Sequence, residues 1–109
     1  MATALTWRLD MPYFFCKLIF PRPSLAKDMT SEHAQVMRQH VGYWTNLVGQ
    51  GSALVFGPVA DPGGAWGFVV VQVDSRTDVD DLMVEDPVVK HELGARYEIY
   101  QMPNVIMRK

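Results

Sequence analysis

The sequence feature that most constrains the fold is the segment from Thr30 to Gln50, in which apolar and aromatic residues recur at helical spacing. Thr30 or Ser31 could cap the start of this helix, and Gly49 and Gly51 mark its end. A helix of this kind must pack its apolar stripe against other elements. His40 lies at the centre of the stripe, so its side chain is expected to be partly shielded from solvent. The stripe consists of His33, Met37, His40, Trp44 and Leu47, with Val36, Val41 and Val48 at its edges.

Four shorter segments are predicted to be strands because they are rich in aromatic or β-branched residues and are bounded by proline or glycine. A second helix is predicted over Asp78–Glu85, and Asp86-Pro87 is interpreted as its stop. The order strand, helix, strand, strand, helix, strand is the split βαβ arrangement, an α+β, ferredoxin-like sheet of four antiparallel strands with two helices on one face. The predicted strands are Tyr13–Phe20, Ala53–Phe56, Trp66–Val73 and Ala95–Met102.

Apolar residues point toward both faces of this sheet, as Phe14 and Phe15 illustrate in the first strand. Two helices cover only one face, so something must cover the other. A second copy of the chain, packed sheet against sheet, is the natural cover, since fully burying one large apolar side chain gains about 1.5 to 3 kcal/mol. The sequence therefore predicts a homodimer with twofold symmetry.

Composition narrows the classes of protein that the chain can belong to. With 109 residues, the chain is predicted to form one domain over residues 13–109, preceded by a lead-in over residues 1–12. A net charge of −2 gives no electrostatic reason to expect nucleic acid or a membrane surface as a partner. The single cysteine, Cys16, excludes an intrachain disulfide and predicts a reducing, cytoplasmic compartment.

A metal site is not predicted. His33 and His40 share a helix stripe but are seven residues apart, about 10.5 Å along the axis at 1.5 Å per residue. Cys16 lies on a strand with no close histidine or cysteine spacing, so the usual zinc patterns do not occur. The sequence predicts neither a metal nor another cofactor.

Four short motifs follow one another along the chain: Val36–His40, Leu54–Pro58, Asp86-Pro87 and Tyr100–Pro103. In this order they resemble the YCII-related domains of the dimeric α+β barrel superfamily. The resemblance spans Tyr13 to about Met107, and the chain departs from it at Val88, where an aromatic residue often follows Asp-Pro, and in the turn at Asp61–Ala65. It implies a dimeric barrel with a His-Asp pair in a cleft, carried here onto His40 and Asp86. One similar group acts on a chlorinated ring compound as a cofactor-free dehydrochlorinase, and related barrels isomerise lactones.

The candidate site residues each have a structural alternative. A histidine whose second ring nitrogen bonds a carboxylate can transfer protons near neutral pH, yet His40 could equally be a satisfied core histidine, and Asp86 an ordinary turn residue. Trp44 and Trp66 could line a pocket for a ring, or they could be core or dimer contacts. Arg38 could bind a substrate carboxylate, or it could be solvated.

Two classes of function follow from the sequence and the resemblance. The first is a cofactor-free enzyme that carries out an elimination or isomerisation on a small ring-derived metabolite, with His40 as the base and Asp86 orienting it. The second is a non-catalytic dimer that binds a small ligand or a protein through the same cleft. A cofactor-free oxygenase is a third hypothesis, which no sequence feature selects.

Overall fold

The computed structural model describes residues 12–22 and 29–108, so the predicted lead-in lies outside the described residues except for Pro12. The strands form one four-stranded sheet in the order β2-β3-β1-β4. Each neighbouring pair is antiparallel. The strands are β1 (Tyr13–Ile19), β2 (Ala53–Val59), β3 (Trp66–Gln72) and β4 (Arg96–Met102).

The helices of the described chain are α1 (Ser31–Gln50), α2 (Arg76–Glu85) and α3 (Pro87–Lys90). The Oγ1 of Thr30 accepts a hydrogen bond from the backbone N–H of His33 at 3.1 Å, which caps the start of α1. Gly51 ends α1 with a φ of 93°, a left-handed conformation that favours glycine. None of these helices is long and apolar enough to cross a membrane.

Helices α1 and α2 pack on the same face of the sheet and enclose the main core. Trp44 is completely buried there, and the stripe predicted for α1 is buried at its centre, whereas Val41 and Val48 at its edges are exposed. The α+β, ferredoxin-like architecture predicted from the sequence is confirmed. The buried residues of this core are Phe14, Cys16, Trp44, Leu47, Ala53, Val69, Val71, Val79 and Met83.

The second face of the sheet carries a smaller apolar cluster, which we call the rear cluster and define as Tyr13, Phe15, Leu54, Phe68, Val70, Met102, Val105 and Met107. Val105–Met107, which follow β4, form no strand, and Val105 belongs to the rear cluster and is 9% exposed. Val55 and Tyr100, which pair with rear-cluster residues across the sheet, stay 48% and 54% exposed. The C-terminal segment therefore covers only part of this face.

Candidate active site

The middle of α1 and the junction between α2 and α3 place a histidine against a carboxylate. Nδ1 of His40 lies 2.9 Å from each carboxylate oxygen of Asp86. The side chain of His40 is 11% exposed and that of Asp86 is 0% exposed. An ionised carboxylate only accepts hydrogen bonds, so Nδ1 carries the hydrogen atom and is the donor of the hydrogen bond to Asp86. The sequence-predicted pair is therefore brought together in the interior.

Asp86 is held by more than the imidazole. The indole Nε1 of Trp44 donates to its Oδ2 at 2.8 Å, and the hydroxyl of Tyr97 donates to the same oxygen at 2.6 Å. The backbone N–H of Val88 donates to Oδ1 at 3.1 Å. A buried carboxylate is tolerated only when it is paired and hydrogen-bonded, and these donors meet that condition.

The donors also set the ionisation of the site. Burial by itself raises the pKa of Asp86, but the hydrogen bond and charge of His40 and the hydrogen bonds from Tyr97 and Trp44 outweigh it, so the pKa lies below its usual value. Burial, and next the negative charge of Asp86, raise the pKa of Tyr97. At neutral pH the aspartate is therefore ionised and the tyrosine remains a donor.

The Asp86-Pro87 sequence has a local structural role as well. Asp86 adopts an extended backbone conformation and caps α3, whose first residue is Pro87. Proline suits this position because the missing N–H would have no helical partner there. The cap fixes the backbone of Asp86 at the end of α2, directly beside α1.

His40 also forms part of the wall of a cavity, which we call the His40 cavity. The cavity has a volume of about 220 Å³. Within the described part of the chain, His40 is the one lining residue with an ionisable side chain. The cavity lies between α1 and the ends of β1, β2 and β3, and its lining residues are Leu18, Phe20, Met29, Met37, His40, Val41, Phe56, Gly57, Pro58, Ala65 and Gly67.

The other residues predicted to bind substrate are placed differently. Trp44 is completely buried and supports Asp86, and it is not among the residues that line the His40 cavity. Arg38 is exposed on α1. Trp66 lines a separate cavity, where its ring lies 4.6 Å from Nζ of Lys17 and its Nε1 donates to Asp61. Substrate binding by Trp44, Arg38 and Trp66 remains a prediction.

Tyr97 is a site residue that was not predicted from the sequence. In the sequence, Tyr97 and Ile99 occupy alternate positions of β4 and so share one face of the sheet. In the structure, that face packs against the main core. A tyrosine on an inward-facing strand position needs a partner for its hydroxyl, and this was the available signal. The partner itself could not be inferred from spacing.

A cluster of metal ligands does not occur in the part of the chain that is described: no three histidine, cysteine, aspartate or glutamate side chains lie close enough together to hold an ion. The fold and the site together define an α+β, ferredoxin-like protein with a buried His-Asp pair at the wall of an apolar cavity. The chain belongs to the YCII-related domain family, whose model matches residues 13–103. No match to the chain is found among curated proteins.

Proposed function

We propose that the protein is a small, cofactor-free enzyme in which His40 transfers a proton during an elimination or isomerisation of a small ring-derived metabolite. The observation that carries this proposal is the 2.9 Å contact with Asp86 that is made by Nδ1 of His40, a residue that lines the His40 cavity. Asp86 acts as the orienting group. Trp44 and Tyr97 hold Asp86 in place.

Because the Nδ1–H group of His40 is hydrogen-bonded to Asp86, Nε2 is the ring nitrogen left to accept a proton from a ligand. Once Nε2 is protonated, the adjacent carboxylate stabilises the imidazolium ion. General acid-base catalysis of this kind contributes about 10² to 10⁴ in rate.

Both proposed reaction types balance with this single acid-base group. In an isomerisation, His40 takes a proton from one carbon, the double bond shifts, and His40 returns the proton to another carbon. In an elimination, His40 takes the proton from the carbon next to the one that bears the leaving group. The electron pair of that C–H bond then forms the double bond, and the leaving group departs as an anion.

The test begins with substrate profiling of the wild-type protein and compares His40→Gln with a histidine variant outside the site. We expect His40→Gln to lower kcat by about 10² to 10⁴, because the general base is lost. His91→Gln is the matched control, since His91 is exposed and lies outside the His40 cavity. Undiminished turnover in a folded His40→Gln protein would reject the proposal.

A non-catalytic ligand-binding protein is the second candidate. The observation in its favour is the apolar lining of the His40 cavity, where the described side chains offer no group besides His40 to stabilise developing charge. On this alternative, a metabolite screen finds ligands that the wild-type protein binds and never converts, and His40→Gln changes affinity alone.

We further propose that the protein is a homodimer in which the rear cluster packs against its twin. The exposure of Val55 and Tyr100 beside this cluster supports the proposal, because an exposed apolar patch on a sheet face is typical of an association surface. A cytoplasmic location is proposed as well, from the single cysteine in the sequence. Fractionation of cells that express the protein would test the location.

A further inference from the structure

We infer that the His40 cavity takes an uncharged, largely apolar molecule the size of one substituted ring, and that Gly67 sets this size limit. The inference shares one assumption with the proposed function, on which it rests: that the substrate binds in this cavity. It is carried by the volume of the cavity, by the chemistry of its lining and by the position of Gly67 in the sheet.

The volume decides the size of the ligand. An apolar cavity of roughly 150 Å³ in another protein stays dry and admits benzene, and drug-sized ligands need about 300 Å³ or more. The His40 cavity, at about 220 Å³, lies between these limits. It therefore has room for one ring and a few substituent atoms.

The lining decides the charge of the ligand. Burying a charged group without a compensating partner is strongly unfavourable. His40 is the one ionisable side chain among the described lining residues, and any positive charge on it already faces Asp86. A carboxylate on the ligand would therefore find no free cation among the described residues that line the cavity, so the structure favours a neutral ligand with one polar group that can meet His40.

Gly67 decides how much room the ring has. It pairs with Leu18 of β1 and with Pro58 of β2, and both of these neighbours line the cavity. A Cβ at Gly67 would lie 3.5 Å from the carbonyl oxygen of Gly57 and 3.7 Å from Leu18, which are ordinary contacts. Gly67 is also not among the glycines with positive φ. The backbone thus does not require glycine here, and a side chain at this position would enter the cavity.

The test measures binding of p-cresol, a neutral ring, and of 4-methylbenzoate, its anionic counterpart, to the full chain by titration calorimetry at neutral pH. We expect p-cresol to bind at least about tenfold more tightly, which is a difference of about 1.4 kcal/mol. Gly67→Val should weaken p-cresol binding by about tenfold or more, because added methyl groups fill the space of the ring. Gly49→Val is the control, since Gly49 has open space around it and lies outside the cavity.

A smaller variant keeps the test informative if Gly67→Val fails to fold. Gly67→Ala adds a single methyl group and should weaken binding of 4-tert-butylphenol more than binding of p-cresol. Three results would each overturn the inference. They are equal affinity of the wild type for p-cresol and 4-methylbenzoate, no binding of p-cresol by the wild type, and unchanged binding by a folded Gly67 variant. None of these binding results decides whether turnover depends on His40. Conversely, turnover that does not depend on His40 would reject the proposed function and leave the inference about ligand binding intact.

Discussion

At the scale of single residues, Asp86 is the group on which the candidate site depends. Its carboxylate is completely buried, yet three side chains and one backbone N–H converge on it. The carboxylate therefore has two tasks: it orients His40, and it satisfies the donors of Trp44 and Tyr97. Removing its charge should disturb the fold as well as the chemistry, because the donors would be left buried without an anion.

The stability of the protein should depend on the ionisation of Asp86. Because the pKa of Asp86 is lower in the folded protein than in the unfolded chain, the carboxylate contributes stability above about pH 4, and this contribution is lost as the pH falls through the folded pKa. We expect Asp86→Asn to lower the free energy of unfolding by about 3 kcal/mol at pH 7, and by progressively less in acid. Urea unfolding at pH 7, 4 and 3 measures both quantities.

Asp80→Asn is the control for this experiment. Asp80 forms an exposed pair with Arg76 at 3.1 Å, and such pairs contribute about 1 kcal/mol or less. A gap between wild type and Asp86→Asn that widens in acid would contradict the linkage. So would an Asp86→Asn protein as stable as the wild type at pH 7.

The two members of the His-Asp pair could not be predicted equally well from the sequence. His40 followed from helical periodicity, because the stripe of α1 placed it at the buried centre. Asp86 lies 46 residues away along the chain, and periodicity gives no information about a contact at that separation. The family resemblance supplied the pairing. Tyr97 was missed, since a hydroxyl that meets a carboxylate across two elements leaves no local pattern.

At the scale of elements, the positions of the strands and of the two longer helices could be predicted, and the errors have physical causes. β2 runs on to Val59, past the Gly57-Pro58 that was interpreted as its end. It is an edge strand, where a proline without an N–H can be accommodated. As an element of local structure, Asp86-Pro87 was interpreted as the stop of α2, but an aspartate cap followed by proline also begins α3.

Two glycines, one inside α1 and one at its end, should respond in opposite directions to the same substitution. Gly42 lies in the middle of the helix, and a Cβ added there would meet nothing within 4 Å, so Gly42→Ala should raise the free energy of unfolding by about 1 kcal/mol. Gly51 has a φ of 93°, so Gly51→Ala should lower it by about 1 kcal/mol through backbone strain. Urea unfolding of the two variants beside wild type gives the comparison, and a stabilised Gly51→Ala protein would show that the cap is not strained by a side chain.

At the scale of the whole molecule, the sheet has one face covered by helices and one face that the described chain covers only in part. Phe15 and Phe68 stack in the rear cluster with ring centroids 5.8 Å apart, and Val105 packs beside them. Val55 and Tyr100 flank this cluster on the two edge strands and remain exposed. The proposed twin would bury these flanking side chains together with the rear cluster, as an isologous interface requires.

The proposed dimer should therefore be sensitive to a charge on the rear face and insensitive to the same charge on the helical face. Val55→Lys would place an ammonium group in the proposed interface, facing the rear cluster of the second copy. Burying an unpaired charge there should weaken dimerisation by about tenfold or more. Val84→Lys is the matched control, because Val84 is 56% exposed on α2, on the opposite side of the sheet. Sedimentation velocity across a micromolar concentration series measures the monomer-dimer equilibrium of each protein. A wild type that stays monomeric at micromolar concentration would refute the dimer, and equal weakening by the two lysine variants would move the interface away from the rear cluster.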